Sequence, residues 1–169
     1  MNQERNDTEN RSETSSWSRD LHWVSLFLRA AIGSLFLSAA IAKVPGGIAG
    51  TVGYYSSLFE HSLLPHILVT AHASVIMIVE FVLGAWLLTG YRLGLAWKAA
   101  AAVLISLAIG MLFAGKTDVA SDNYVYVALA LGGLVTSRFD RWVLGATPAA
   151  EAKRTQAGLG DSIRELGLR

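Results

Sequence analysis

Four long apolar stretches follow one another along the chain, and polar segments separate and flank them. A helix needs roughly 20 apolar residues, each rising about 1.5 Å, to cross a hydrocarbon core of about 30 Å. The stretches are close to that length, so the pattern predicts four membrane-spanning helices, at residues 21–44, 66–89, 95–114 and 123–139. The predicted fold class is therefore an all-α integral membrane four-helix bundle.

Both ends of the chain are polar. Residues 1–20 are rich in Asn, Glu, Arg and Ser and have too little apolar surface to order themselves, which predicts a disordered tail. Residues 21–144 then form the transmembrane domain, and residues 145–169 form a second polar tail.

The connection at residues 45–64 is longer than most helix connections and contains no Lys or Arg. Apolar residues recur in it at the spacing of one helical face, namely Ile48, Val52, Tyr55 and Phe59. This spacing predicts an amphipathic helix in the first outer loop, lying on the bundle as a lid. A glycine-rich loop is the alternative, because helices this short are marginally stable by themselves.

The cations indicate the orientation of the bundle, since Lys and Arg of short loops are retained on the cytoplasmic side. Four spans place both ends of the chain on one side, and that side holds eleven of the 14 Lys and Arg residues. Lys43 and Lys116 fall on the opposite side, and Arg29 lies within the first span. We therefore predict that both termini are cytoplasmic and that the chain is a multi-pass protein of the inner membrane.

Composition narrows the classes of function. Hydrophobic residues make up 53% of the chain and charged residues 16%, as is typical of a protein surrounded by lipid. The formal net charge of +1 gives no electrostatic reason for a nucleic-acid partner. The sequence contains no cysteine, which excludes thiolate metal sites, iron–sulfur clusters and thiol redox chemistry within it. No metal site is predicted either, because His66 and His72 point away from each other on one helix.

Two charged residues lie inside predicted spans, Arg29 in the first and Glu80 in the second. A charge near the bilayer centre costs about 3 kcal/mol unless it is paired or hydrated. The two residues lie at similar depths on antiparallel helices, so we predict that they form an ion pair. Two interpretations stay open, since such a pair either fixes the helix register or forms part of a ligand pocket.

The spacing of Arg29 and Lys43 predicts a polar seam along the first helix. They are about four turns apart and lie close to one face, with Phe36 between them. Asn123, at the start of the last span, is expected to reach Lys43 at the outer mouth of this seam. Snorkelling of Lys43 to the membrane interface is the alternative.

The second span contributes a face that could admit a flat lipophilic ring, because Met77 lies beside Glu80 on it. The candidate catalytic residues are therefore Glu80 and Arg29. The candidate cofactor-binding residues are Lys43, Phe36, Met77 and Asn123.

Small residues recur at helical spacing on the spans, which predicts close helix packing in lipid. On the first span they are Ala30, Ser34, Ser38 and Ala42.

Several short motifs occur in an order that resembles one family. The first span contains R-x-x-x-G-x-x-F beginning at Arg29 and followed by Lys43, and the second contains E-x-x-x-G beginning at Glu80 and followed by L-x-G. Asp122 and Asn123 open the last span. Over residues 24–140 the chain resembles the DoxX-type membrane proteins. It departs from them in having alanines shortly before Lys43, where that family commonly has a glycine.

The resemblance implies a subunit of a quinone-linked membrane complex, such as a thiosulfate:quinone oxidoreductase or a terminal quinol oxidase. It implies a quinone as the ligand and no covalently bound cofactor. Glu80 then exchanges protons with a quinol hydroxyl, while Arg29 positions the carboxylate or a quinone carbonyl. Because the chain does not visibly ligate a redox centre, the expected partners are membrane lipid and other membrane subunits of a redox or energy-transducing complex.

A second function stays open beside this one. In it, the chain is a non-catalytic structural or assembly subunit of a larger respiratory or photosynthetic membrane complex, and Arg29 and Glu80 only lock the bundle. The sequence does not decide between an enzyme and a structural protein. A transporter is disfavoured because the spans show no inverted repeat and no broken helix.

Overall fold

The computed structural model describes the backbone of residues 2–140, and side chains at residue 17 and residues 20–140. This part of the chain contains helices and no strands. The five α-helices, in chain order, are α1 (Asn2–Lys43), α2 (Gly47–Leu58), α3 (His66–Thr89), α4 (Leu93–Phe113) and α5 (Thr117–Thr136). Two 3-10 turns, Val44–Gly46 and Ser137–Phe139, follow α1 and α5.

Four segments are long and apolar enough to span a membrane: α1 from Asp20 onwards, α3, α4 and α5. The predicted all-α four-span architecture is thereby confirmed. The second predicted span, 66–89, coincides with α3, which ends where Gly90 takes a left-handed φ of 72°. Helix α5 begins six residues earlier than predicted because its polar first turns are helical too, with Asp118 near the positive end of the helix dipole.

Helix α1 is longer than the sequence pattern predicted. It begins at Asn2, so the backbone of residues 2–20, which were expected to form a disordered tail, continues the helix. Glu, Arg and Gln are adequate helix formers, and extending an existing helix adds one hydrogen bond for each residue fixed. The predicted polar tail at residues 145–169 lies outside the described residues.

The predicted helix in the first loop is present as α2. Thr51 and Tyr55 form its buried face, and the ring of Phe59, just beyond its end, stacks on that of Tyr55 with centroids 6.2 Å apart. The predicted stripe holds from Val52 onwards, whereas Ile48 is exposed. Gly47 adopts a φ of 58°, which lets the chain turn from the 3-10 segment into α2.

The helices pack in two close pairs, α1 against α3 and α4 against α5. At the first crossing a Cβ atom on Gly84 would lie 2.8 Å from the carbonyl oxygen of Gly33, so a glycine is required there. At the second crossing the indole of Trp97 fills the space that a side chain on Gly133 would need. Trp97 is therefore fully buried. The core around these crossings includes Ile32, Phe36, Leu83, Leu87, Trp97 and Leu104.

The face of α1 that packs inward is the predicted polar seam and not the stripe of small residues. Gly33, Phe36 and Ala40 are buried on it. Every member of the small-residue stripe is instead exposed, namely Ala30, Ser34, Ser38 and Ala42. The packing prediction for α1 is therefore wrong, because the close approach to α3 occurs at Gly33 on the seam face, opposite Gly84, and not at the predicted stripe.

Candidate functional site

A buried carboxylate lies in the middle of α3. Glu80 is only 3% exposed, and the ammonium nitrogen Nζ of Lys43 donates a hydrogen bond of 2.6 Å to its Oε2 atom. Lys43 is the last residue of α1, and side chains on a helix lean toward its N-terminus. The lysine therefore reaches back into the bundle, where Nζ also donates to the carbonyl oxygen of Ala39 at 3.1 Å. We call these two residues the Glu80 pair.

Arg29 has a different partner. Its Nη1 atom lies 3.1 Å from Oδ2 of Asp140, an acid whose side chain is fully buried directly after the last 3-10 turn. Ser25 donates from Oγ to the same oxygen at 3.2 Å, and Nδ1 of His22 lies 3.8 Å from Oδ1. Because His22, Ser25 and Arg29 are spaced by three and four residues, they lie on one face of α1. These four residues form the Asp140 cluster.

The predicted ion pair between Arg29 and Glu80 is therefore wrong. The prediction rested on depth in the membrane, and two groups at similar depth meet only if both helices are also rotated toward each other. Lys43 follows Arg29 by about 21 Å along α1 and takes the carboxylate of Glu80 instead. Asp140 was missed because the predicted last span ended one residue before it. The sequence feature that could have indicated Asp140 is its position: it is an acidic residue at the membrane boundary, at the same end of the bundle as Arg29.

The other candidate residues lie apart from each other. Phe36 belongs to the core between α1 and α3, and Met77 is half-buried on α3. Asn123 does not bind Lys43, since its Nδ2 atom donates to the carbonyl oxygen of Val119 on its own helix. Of the six predicted site residues, the structure thus joins only Lys43 and Glu80 to each other by a hydrogen bond or ion pair.

A cavity of about 410 Å³ opens beside the Glu80 pair. Small residues of α1 and α2 shape its walls, and the side chain of Lys43, which is 21% exposed, reaches it. Its lining consists of Ala39, Ala42, Lys43, Gly46, Gly50, Thr51, Tyr54 and Tyr55. The lysine side chain thus lines the cavity while the carboxylate of Glu80 stays enclosed, an arrangement that can pass a proton between the cavity and a buried acid.

Tyr55 extends this site toward a second cavity. It lines the cavity beside Lys43 and also a cavity of about 600 Å³ between α2, α3 and α4. His72 of α3 lines this second cavity together with Tyr55. The sequence pattern predicted the burial of Tyr55 but assigned neither residue to the site. In the described part of the chain, no group of three or more acidic or histidine side chains is placed to hold a metal ion.

These features define a class, a polytopic α-helical membrane protein with two buried ion pairs near opposite ends of the membrane-spanning part of α1. The model of the family described as methylamine utilisation protein MauE matches residues 21–122, more than half of the chain, and the chain belongs to that family. The matched region contains both residues of the Glu80 pair and ends before Asp140. No curated protein and no solved structure matches the chain. The expectation of a multi-span membrane family is confirmed, with MauE as the family shown.

Proposed function

We propose that this MauE-family protein is a membrane subunit of a redox-linked assembly in which the Glu80 pair exchanges protons with a quinone. The observation that supports the proposal most directly is the pairing of a 3% exposed carboxylate with a lysine that opens onto a cavity. The description of the family, methylamine utilisation protein, agrees with a redox-linked role. Oxidation of an amine releases two electrons and two protons, and reduction of a quinone to a quinol takes up two electrons and two protons.

The role of each residue follows from this geometry. Reduction of a quinone consumes two electrons and two protons. The Lys43 side chain lines the cavity and delivers the two protons one after the other to the ligand side, and the Glu80 carboxylate holds the lysine in place through the 2.6 Å hydrogen bond. Lys43 is then reprotonated through the cavity. The electrons come from a partner membrane subunit that carries a redox centre, and membrane lipid surrounds both.

The resemblance to DoxX-type proteins supports the same assignment, because that family takes its name from quinone-linked oxidoreductases. We further propose that the membrane is the inner membrane and that both termini face the cytoplasm. The cysteine-free sequence makes this orientation directly measurable, since one introduced cysteine is a unique label. Asp20→Cys is expected to react only with a membrane-permeant maleimide, and Asp118→Cys also with an impermeant one.

The experiment that tests the function replaces the buried acid. Glu80→Gln keeps the size of the side chain and removes its charge, so we expect amine-dependent quinone reduction in membranes to fall at least tenfold at normal protein abundance. Glu60→Gln is the matched control, because Glu60 is an exposed acid beyond the end of α2. Unchanged turnover at normal abundance contradicts the proposal.

A second function is favoured by the Asp140 cluster. Arg29, one of the two residues first assigned to catalysis, is 6% exposed and bound to a fully buried acid, which is the arrangement of a structural lock. In this alternative the protein is a non-catalytic structural or assembly subunit of a larger respiratory or photosynthetic membrane complex. Loss of complex abundance in Glu80→Gln, with normal turnover per remaining complex, supports it.

A further inference from the structure

The cavity between α2, α3 and α4 has the size and the walls of a small-molecule site. Its volume of about 600 Å³ lies within the range of about 300–1,000 Å³ that is usual for such sites. Aromatic and aliphatic side chains form most of its surface, including Phe59, Phe113 and Met111. Gly110 adds no side chain, and a Cβ atom there would lie 3.6 Å from Cζ of Phe59. The missing side chain leaves a shallow slot beside this ring, which a larger side chain at residue 110 would fill, and the aromatic walls of the cavity suit a ligand with a ring.

Two polar side chains in this apolar lining are available to a ligand. Tyr55 is only 7% exposed, yet its hydroxyl group forms no hydrogen bond with any described residue. The half-buried imidazole of His72 likewise has no hydrogen-bond partner among residues 20–140. Ser106 differs, because its hydroxyl group already donates to the carbonyl oxygen of Val103. A ligand oxygen within reach of the Tyr55 hydroxyl group would therefore give it a hydrogen bond that no described residue supplies.

We propose that this cavity binds a lipophilic molecule whose flat ring carries a carbonyl or hydroxyl oxygen, with Tyr55 and His72 as the hydrogen-bonding residues. The inference rests on the proposed function, since a quinone is a molecule of this class. It adds the location of the ring and two residues that recognise it. Tyr55 lines this cavity and also the one beside Lys43, whereas Lys43 and Glu80 do not line this one, so a ring bound here reaches the Glu80 pair by way of Tyr55 and leaves the lysine in place.

The test is a binding measurement on the purified full chain in nanodiscs, by equilibrium dialysis, with two probes. One is a decyl-substituted benzoquinone, and the other is decylbenzene, which has the same tail and a ring without oxygen. The wild-type protein is expected to bind the quinone at least tenfold more tightly. Tyr55→Phe should weaken quinone binding about three- to tenfold, the effect of one hydrogen bond, and leave decylbenzene unaffected. The matched control is Tyr124→Phe, at an exposed tyrosine of α5 that lines neither cavity.

A second variant keeps the test decisive if Tyr55→Phe does not fold. Gly110→Leu places a side chain in the slot beside Phe59, so quinone binding should be lost while the α-helical circular dichroism is retained. Equal binding of the two probes by the wild-type protein overturns the proposal, because the cavity then holds only apolar chains such as lipid tails. Unchanged quinone affinity in Gly110→Leu also overturns it, since the site then lies elsewhere.

The outcomes separate this inference from the proposed function, because binding requires no electron transfer. If Tyr55→Phe weakens quinone binding while Glu80→Gln keeps normal turnover, the proton-exchange role of Glu80 is contradicted and the ligand site is supported. If Glu80→Gln loses turnover but the Tyr55 and Gly110 variants bind quinone with unchanged affinity, the proposed function is supported and this binding site is contradicted.

Discussion

The Asp140 cluster and the Glu80 pair place the same chemistry near opposite ends of the membrane-spanning part of α1, and their surroundings differ. Three side chains of α1 surround Asp140, which is fully enclosed, and Arg29 in that cluster has a side chain only 7% exposed. Glu80 has one ionic partner, Lys43, which is 21% exposed beside a cavity. Enclosure on all sides favours a structural lock, whereas a charge pair with one open side retains a group that can react. The exposure of the cation, more than the presence of the pair, distinguishes the two roles.

Asp140→Ala should have the largest effect on stability. It leaves Arg29 buried beside an emptied acid position, and breaking a buried ion pair from one side costs about 3–5 kcal/mol. Unfolding in detergent by increasing SDS, followed by circular dichroism, measures this loss. Asp122→Ala, at an exposed acid of α5, is the control and should change the unfolding free energy by less than about 0.5 kcal/mol. A small effect of Asp140→Ala would mean that the cluster is hydrated and is not a lock.

Lys43→Met should lower the free energy of unfolding less than Asp140→Ala does, and it should lower activity more. The cavity allows water to solvate Glu80 when the ammonium group is gone, so we expect a loss of about 1–3 kcal/mol, the usual penalty for one unsatisfied buried group. Amine-dependent quinone reduction should nevertheless fall at least tenfold. Lys116→Met, at an exposed cation, is the control for both measurements. The contrast between the two ion pairs fails if Lys43→Met destabilises the protein as much as Asp140→Ala.

The double variant Lys43→Met with Glu80→Leu should recover stability. Replacing both members of a buried pair with apolar residues is often neutral, so we expect unfolding within about 1 kcal/mol of the wild type. The same SDS titration measures it, alongside each single variant. Turnover should remain lost in the double variant. Recovery of turnover together with stability would show that the pair only supports the fold.

His22→Gln should have the smallest effect. Its Nδ1 atom lies 3.8 Å from Asp140, whereas Arg29 and Ser25 approach the same carboxylate more closely. We expect a loss of about 0.5–1 kcal/mol in the SDS titration, the net value of a weak polar contact. A loss as large as that of Asp140→Ala would show that His22 contributes as much to the stability of the cluster as the acid itself.

Local features of this fold were predictable from the sequence. Apolar length defines a span, and the period of apolar residues defines a buried face, so the four spans, α2 and the inward position of Phe36 follow from the residues within each segment. The burial of Arg29 and Glu80 followed as well, because an unpaired charge in lipid is costly. Each of these properties depends on one helix considered alone.

Pairing between helices could not be predicted in the same way. The partner of Arg29 depends on the rotation of α1 against α5, and its acid lies 111 residues away in the chain. The partner of Glu80 depends on the backward reach of Lys43 from the end of α1. The exposure of the small-residue stripe has the same origin, since alanine and serine fit a lipid-facing surface as well as an interface. The depth of a residue in the membrane and the composition of its helix limit which residues can pair. The rotation of each helix about its axis determines which of them do pair.

The separation of Arg29 from Asp140 also bears on biogenesis. During synthesis the arginine enters the bilayer with α1, long before the ribosome reaches the acid that follows α5. An intermediate that has inserted only its earlier helices therefore carries this cation without Asp140. The contact between Arg29 and Asp140 therefore closes last, when the end of α5 docks against α1.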